Sequence, residues 1–591
     1  MAQEANGVSR RSFLAGSAIV GATVAGMGLV SCAPTYNENR NDSNASGGGD
    51  GSDWLGKAPD PSTFDIEKEV TVDVAVVGCS DSGSIAVRSA VEAGATVAVI
   101  EKSESVNAMG GDVALINGDV EANWGRDSFT EDDIDEMVET HQMESSYKTK
   151  SAIMRRYANE IADVYDWIIA ADPDIYIVPE TFADIPQDKL DHAVIPARYP
   201  LPDPDYDFHQ DTVPTYHTTV AFNNLKNILT LNFEKAVSEG DVTQLFGHFA
   251  ELLITDDSGA VTGVYARNAE TGGYVKVSAK STILCTGDYC CNKDMLAYFA
   301  PTTQLYGNGT PWFNVDVEGN LTATGDGHKL GVWAGARMQD YHAPMIHHMG
   351  GGAGVDGRGV MGINGYLNLN MQGKRFMDED IPGQQIENQI EVQPQSTTFQ
   401  IFDSAWPEQV SKFPAAHGVV CYYVDSDETT GNYAYPINIR SQGDIAAAVK
   451  DGRCLQADTI DDLLAQIQKA NPDFDVETAK ASIERYNELC EKGVDEDFGK
   501  SSRRLFALNN APYYAATMTP AMMLVCIGGL ESDEECHTYN EDREIIPGLY
   551  VAGNVQGNRF AVQYPISLCG LSVGMALFYG YVAGKNAAES K

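Results

Sequence analysis

The clearest hydrophobic pattern in the chain lies between Val72 and Glu101. Val74-Ala75-Val76-Val77 is an unbroken apolar run that stops at Gly78, and Val97-Ala98-Val99-Ile100 is a second that stops at Glu101. Short runs that stay apolar at successive positions and close on a turn residue predict strands buried on both faces, as in a parallel sheet. A helix-like segment ending at Gly94 separates them. The order strand, tight turn, helix, strand predicts a βαβ unit. Residues 127–171 carry Ile134, Met137, Val138 and His141 at helical spacing, which predicts a packing face. Residues 252–255, the turn Asp256-Asp257-Ser258-Gly259 and residues 261–265 predict a hairpin. Thr282-Ile283-Leu284 predicts a short buried strand reaching Gly287, and residues 323–328 a loop into a helix over 329–334. Helices are predicted over 459–470 and 476–490, and a glycine-rich one runs to Gly584. Residues 184–211, rich in Pro, Asp and Tyr, predict a surface excursion.

The turn after the first strand decides what the βαβ unit can hold. Gly78, Ser80 and Gly83 occupy the three glycine positions of G-x-G-x-x-G. The first glycine of that motif permits the turn, the second lets the backbone approach a pyrophosphate, and the third lets helix pack on strand. With Ser80 in the middle, that approach must tolerate a small side chain. Glu101 stands 23 positions after Gly78, where an acidic residue accepts hydrogen bonds from ribose hydroxyls. The unit therefore predicts a bound dinucleotide, with NAD and FAD equally open. Gly110-Gly111 is placed to bring backbone N–H groups to a flavin or a phosphate.

Composition narrows the partners. A chain of 591 residues is too long for one core and predicts two or more domains. Its 84 acidic and 40 basic residues leave a formal charge of −44, which argues against nucleic-acid binding, because phosphate neutralisation needs a basic face. The 11 cysteines contain no C-x-x-C pair, and no metal is expected. At the amino end, Ser9-Arg10-Arg11-Ser12-Phe13-Leu14 precedes an apolar run of small residues, the layout of a twin-arginine export signal. Leu29-Val30-Ser31-Cys32 resembles a lipoprotein cleavage box, in which Cys32 becomes the lipidated first residue. The Asn, Ser, Gly and Asp that follow make a flexible tether. The body is expected at the outer face of the cytoplasmic membrane, in contact with it only through the lipid.

Five stretches, taken in order, resemble the flavoprotein subunits of the fumarate reductase and succinate dehydrogenase family, particularly its soluble exported members. They are residues 76–102, 283–287, 324–327, 373–376, and 548–553 with 580–584. The resemblance implies an α/β fold, a Rossmann-like FAD-binding domain with an inserted α+β capping domain. It implies FAD held by Gly78, Ser80, Asp81, Ser82 and Gly83, by Glu101 and Lys102, by Gly110 and Gly111, by Gly287 and Asp326, and by Gly553 and Asn554. It also implies hydride transfer from flavin N5 to an activated alkene. The expected divisions are a signal over 1–32, a linker over 33–65, the first FAD-binding part over 66–341, the cap over 342–505 and the last FAD-binding part over 506–591.

Departures from the family bear on the substrate. Its dicarboxylate reducers carry His-Pro-Thr where this chain has Ala343-Pro344-Met345, and a proton-delivering arginine where it has Gly383. Val525 stands in place of a substrate histidine, and Tyr564 in place of a second carboxylate-binding arginine. A dicarboxylate is therefore not the expected substrate. Tyr564-Pro565 ahead of a glycine also resembles the ketosteroid-dehydrogenase branch, where a tyrosine hydroxyl and a glycine N–H hold a ketone oxygen. Hydride addition to an enone builds negative charge on that oxygen, and two preorganised donors stabilise it. Gly570 stands six positions after Tyr564, two further than in that branch. Arg559 is an alternative donor or a flavin-facing charge. His342, near His347 and His348, is the candidate proton donor. Arg375 and Glu379 are expected to tie cap to cofactor domain by a salt bridge. The expected function is an exported FAD-dependent reductase of a C=C bond conjugated to a carbonyl, served by a separate membrane-side cytochrome or quinol-linked donor. A ketosteroid-like dehydrogenase and a lipid-anchored electron-relay flavoprotein without an organic substrate are the alternatives.

Overall fold

The computed structural model describes residues 53–122, 124, 128–179, 185–195, 216, 218–301, 314–346, 360–362, 364–381, 383–413, 422–429, 439–519, 523–564 and 567–590. The expected export signal over 1–32, with Cys32, and His347, His348 and Pro565 lie outside them.

β1 (Ile66–Val77), α1 (Asp81–Glu92) and β2 (Val97–Glu101) form the predicted βαβ unit. The unbroken apolar runs follow from two cores that meet at this sheet. Val74, Val76, Val97 and Val99 enter one core, while Ala75, Val77, Ala98 and Ile100 enter the other. Both faces are therefore dry, and no polar alternation survives. β3 (Val242–Phe246) adds in parallel beyond β2. The hairpin β4 (His248–Thr255) and β5 (Val261–Asn268) turns at Asp256–Gly259 as predicted and leads to β6 (Tyr274–Leu284), which runs parallel to β1. The predicted strand over 282–284 is only the end of this 11-residue strand. Its first half alternates buried Val275, Val277 and Ala279 with less buried polar residues, so it lacks the unbroken apolar run.

α2 (Asp326–Trp333) follows, three residues earlier than the spacing predicts, and the sheet closes with β7 (His537–Tyr539) and β8 (Ile545–Val551). The order is β7-β8-β6-β1-β2-β3. α3 (Leu571–Glu589) then lies along α1. Its glycines are required by this approach: a Cβ on Gly580 would stand 2.3 Å from the Ser82 carbonyl oxygen, and one on Gly584 2.3 Å from that of Ala86.

The segment 127–171 holds two helices, Glu131–Glu144 and Ser151–Ile169, and not one. Ser146 and Tyr147 between them have φ of 52° and 56°, which no α-helix can contain. Ile134, Met137, Val138 and His141 are buried, as their spacing predicts. Part of the expected surface excursion is instead a buried strand, Ala193–Ile195, which joins Thr219–Phe222, Asp112–Ala114 and Tyr176–Ile177 in a second sheet.

The region after Ile346 builds a third sheet from Leu367–Asn370, Thr398–Asp403, Leu455–Ala457 and Tyr513–Met518, with helices Ile460–Ala470 and Val476–Lys492 over it. The last of these strands lies past residue 505, so this sheet borrows from the chain's return. Arg375 donates to both oxygens of Glu379 at 2.8 Å and to Asp495 at 2.7 and 2.9 Å, and Lys500 stands 3.3 Å from Glu379. All four belong to this region, so the expected salt bridge closes the cap upon itself and does not reach the cofactor domain.

Candidate cofactor and active site

The parallel strands β1, β2, β6 and β8 end at one cavity of about 1370 Å³, counted with its open mouth. Open α/β sheets bind ligands in this place, at the carboxyl ends of their strands. The turn after β1 supplies Gly78, Ser80, Asp81 and Ser82, and β2 supplies Glu101 and Lys102. Gly287 and Asp288 come from the loop after β6, and Gly553 and Asn554 from the turn after β8. Gly110 and Asp326 complete the wall. Gly83 and Gly111 are not on it. A Cβ on Gly83 would stand 1.9 Å from the Gly78 carbonyl oxygen, so Gly83 serves the close seating of α1 on the turn.

Hydrogen bonds and close packing fix several of the wall residues. Gly78 has a φ of +96°, and a Cβ there would approach the Cys285 carbonyl oxygen to 2.3 Å. Glu101 accepts the Cys79 N–H at 2.7 Å and the Ser103 N–H at 2.8 Å, which pins the turn to the end of β2. Lys102 donates to Asp326 at 2.7 Å and to Thr324 at 3.0 Å. Burial opposes the charged form of Asp326, yet the Lys102 ammonium prevails and holds the carboxyl below its usual range. Asn554 accepts from Arg559 at 2.8 Å and from Ser572 at 3.3 Å, and donates to Asp288 at 3.4 Å.

Tyr564 also lines the cavity. Its ring stacks on Phe560, with centroids 5.4 Å apart and planes 6° from parallel, and Ser572 lines the same cavity. Burial pushes the phenol up to about 12, so it keeps its proton at neutral pH and remains a donor. Gly570 caps α3 with a φ of +87° but is packed against the Asp112 and Val113 backbone, where a Cβ would meet atoms at 2.7 Å. The wall is formed by the next turn, Ser572 and Val573. N–H groups in a first helical turn have no acceptor within the helix.

Arg559 and His342 stand behind the wall. Arg559 is fully buried, its guanidinium carbon is 5.3 Å from the Phe560 ring centroid, and Nη1 has no hydrogen-bond partner among the described residues. Burial lowers its pKa to about 10. His342 accepts the Tyr289 hydroxyl at Nδ1 and donates from Nε2 to the Gln339 carbonyl at 3.0 Å. It stacks on Phe299 at 4.3 Å, and burial lowers its pKa to about 4, so it stays neutral. A Cβ on Gly528 would stand 2.2 Å from its Nδ1, which places the ring as the floor under Gly528-Gly529.

The spacing arguments overlooked His248, Phe249 and Ala250 at the start of β4, and also Met109, all on the wall. The first three begin β4 directly after Gly247, at the end of β3, whose last residue Phe246 pairs with Glu101.

A glycine turn, a helix start and an acidic strand end meeting in one cavity define a dinucleotide-binding protein, and FAD is among the dinucleotides that this cradle fits. The sequence profile of the FAD binding domain family matches residues 73–573, and the chain belongs to that family. It is 25% identical over 526 residues to the fumarate reductase (cytochrome) of Shewanella frigidimarina, covering 88% of this chain and 77% of that one. It is 22% identical over 542 residues to the vinyl phenol reductase of Lactiplantibacillus plantarum, covering 89% and 98%. Among solved structures, the 3-ketosteroid-Δ4-(5α)-dehydrogenase of Rhodococcus jostii superposes with a TM-score of 0.64 at 18% identity, covering 90% of this chain and 99% of that one. The fold is thus that of the fumarate reductase flavoproteins, the cofactor is FAD rather than NAD, and the protein is an FAD-dependent oxidoreductase.

Proposed function

We propose that the protein is an exported reductase that saturates a carbon–carbon double bond conjugated to a carbonyl, in a neutral or aromatic substrate. The observation that carries this reading is Tyr564, a protonated phenol on the cavity wall where a dicarboxylate reducer of the family places an arginine. Fumarate and vinyl phenol, after which two relatives are named, are both alkenes, and the second carries no carboxylate.

Bound, reduced FAD would supply the hydride, and the proton for the second carbon would come from solvent. Tyr564 donates to the substrate oxygen as charge gathers there, and the first-turn N–H groups of Ser572 and Val573 stand on the same wall as further donors. Gly570 shapes that turn. Arg559, buried beside the Phe560–Tyr564 stack, adds a fixed positive charge behind the phenol. His342, with both ring nitrogens bonded within the protein, supports Gly528 and does not reach the cavity.

The test is an anaerobic assay of the holoenzyme with a reduced dye against enones, cinnamates, urocanate and fumarate. Oxidation of dye by an enone or a neutral aromatic alkene is expected. Fumarate as the best substrate overturns the substrate class. Faster turnover of a saturated ketone with a quinone-like acceptor reverses the direction, and no turnover with any compound leaves an electron-relay protein.

The reading includes twin-arginine export, a lipid on Cys32 and electrons from a separate membrane-side cytochrome or quinol-linked protein. Arg10-Arg11 and the Leu29–Cys32 box support it. Cys32→Ser is expected to move the protein from the membrane fraction to the medium or periplasm with its flavin retained. An unchanged membrane fraction removes the lipid anchor.

A further inference from the structure

Asp81 lies in the first turn of α1, between Ser80 and Ser82, on the cavity wall. This turn seats the pyrophosphate of a dinucleotide, because free N–H groups and the positive end of the helix favour an anion there. A carboxylate at that place opposes the group that the turn attracts. The side chain is held in position: the residue is only 9% exposed, and Oδ1 accepts the Met109 N–H at 3.1 Å.

The groups around it provide no free cation among the described residues. From β2, Glu101 faces the cavity with its carboxylate bonded to two backbone N–H groups. Lys102 is bound to Asp326 of α2. Asp288, from the loop after β6, is a second buried carboxyl, raised by its own burial. His248 of β4 uses Nδ1 on the Phe246 carbonyl at 2.8 Å. From the α3 side comes the neutral phenol of Tyr564, and beneath the turn lie the buried thiols of Cys79 and Cys285, whose pKa values burial raises. With no cation to offset its burial, the Asp81 carboxyl rises to about 7.

We propose that Asp81 receives FAD in its protonated form and donates its O–H to a pyrophosphate oxygen, so that FAD binding above neutral pH takes up one proton from solvent. The balance is simple: a solvent proton joins the carboxylate, and a hydrogen bond to the cofactor forms. The complex then holds more protons than the empty protein wherever the empty protein has Asp81 ionised. Affinity therefore falls as pH rises above the empty protein's pKa and is flat below it, where both forms hold the proton.

The experiment strips FAD from the holoenzyme and follows its rebinding by flavin fluorescence across neutral pH. The wild-type Kd is expected to be flat on the acid side and to rise about tenfold per pH unit above about pH 7. Asp81→Asn keeps the shape and cannot ionise, and its Kd is expected to be flat throughout. A measurement without a variant stands beside it: at about pH 8, calorimetric enthalpies of FAD binding in two buffers of different ionisation enthalpy are expected to differ by the equivalent of about one proton taken up. A flat wild-type Kd, the same slope in Asp81→Asn, or equal enthalpies in the two buffers overturns the proposal.

Discussion

Tyr564→Phe is expected to lower kcat for an enone by about 10²–10³-fold, the cost of removing one preorganised donor from a developing oxyanion. The substitution removes one oxygen atom and leaves the ring. The stack on Phe560 and the packing that places it therefore persist, and FAD content and thermal stability should match the wild type. The phenol contributes because it is protonated: a group whose pKa has been pushed up to about 12 stays a donor across the neutral range. If the loss falls on kcat while KM is little changed, the bond is made in the transition state and not in the ground state. Unchanged turnover would remove Tyr564 from the chemistry and leave the Ser572 and Val573 N–H groups as the oxygen's holders.

The second large effect is expected from Gly78→Ala. The φ of +96° puts an L-residue at a cost of about 1–2 kcal/mol before any contact is considered. The added Cβ would then meet the Cys285 carbonyl oxygen at 2.3 Å, far inside van der Waals contact, so either the turn or the start of the loop after β6 must move. Both carry cavity wall. The purified variant is expected to lose most of its visible flavin absorbance and to unfold at lower temperature. Gly94→Ala is the control, since Gly94 has a φ of +89° and nothing within 4 Å of its added Cβ. It should show the backbone cost alone and keep its flavin. Equal flavin loss in both variants would make backbone strain, and not the closeness of Cys285, the cause.

The βαβ unit was legible because β2 and the end of β1 are buried on both faces, a condition that writes itself into the chain as unbroken apolar runs. Only the last three of the 11 residues of β6 were legible, because the part before them carries Lys276, Ser278 and Lys280 between buried valines and Ala279. The two helices of 127–171 share one amphipathic texture, and the break between them rests on backbone angles at Ser146 and Tyr147 that residue identity does not announce. In the site, the glycine turn, Glu101, Lys102 and Asn554 were read in one dimension because each lies next to a strand end. His342 was read as a proton donor from its chemistry alone. Tyr289, from 53 residues upstream, and the neighbouring Gln339 carbonyl take its two ring nitrogens, and Phe299 stacks on its face.

The sequence by itself determined the class of fold and the dinucleotide cradle. These depend on local periodicity, on φ values open only to glycine, and on which side chain stands at a given distance from a motif. Only the tertiary structure decided which groups share the cavity. It set Tyr564 on the wall with Ser572, put Arg559 and His342 behind it, and turned the Arg375–Glu379 pair inward upon Asp495 and Lys500. It also showed Asp81 as an acid enclosed where an anion must sit. The physical reason is common to all of them: desolvation and hydrogen bonding depend on what surrounds a group in space, and neighbours such as Tyr289 for His342 and Asp495 for Arg375 stand 53 and 120 residues away along the chain.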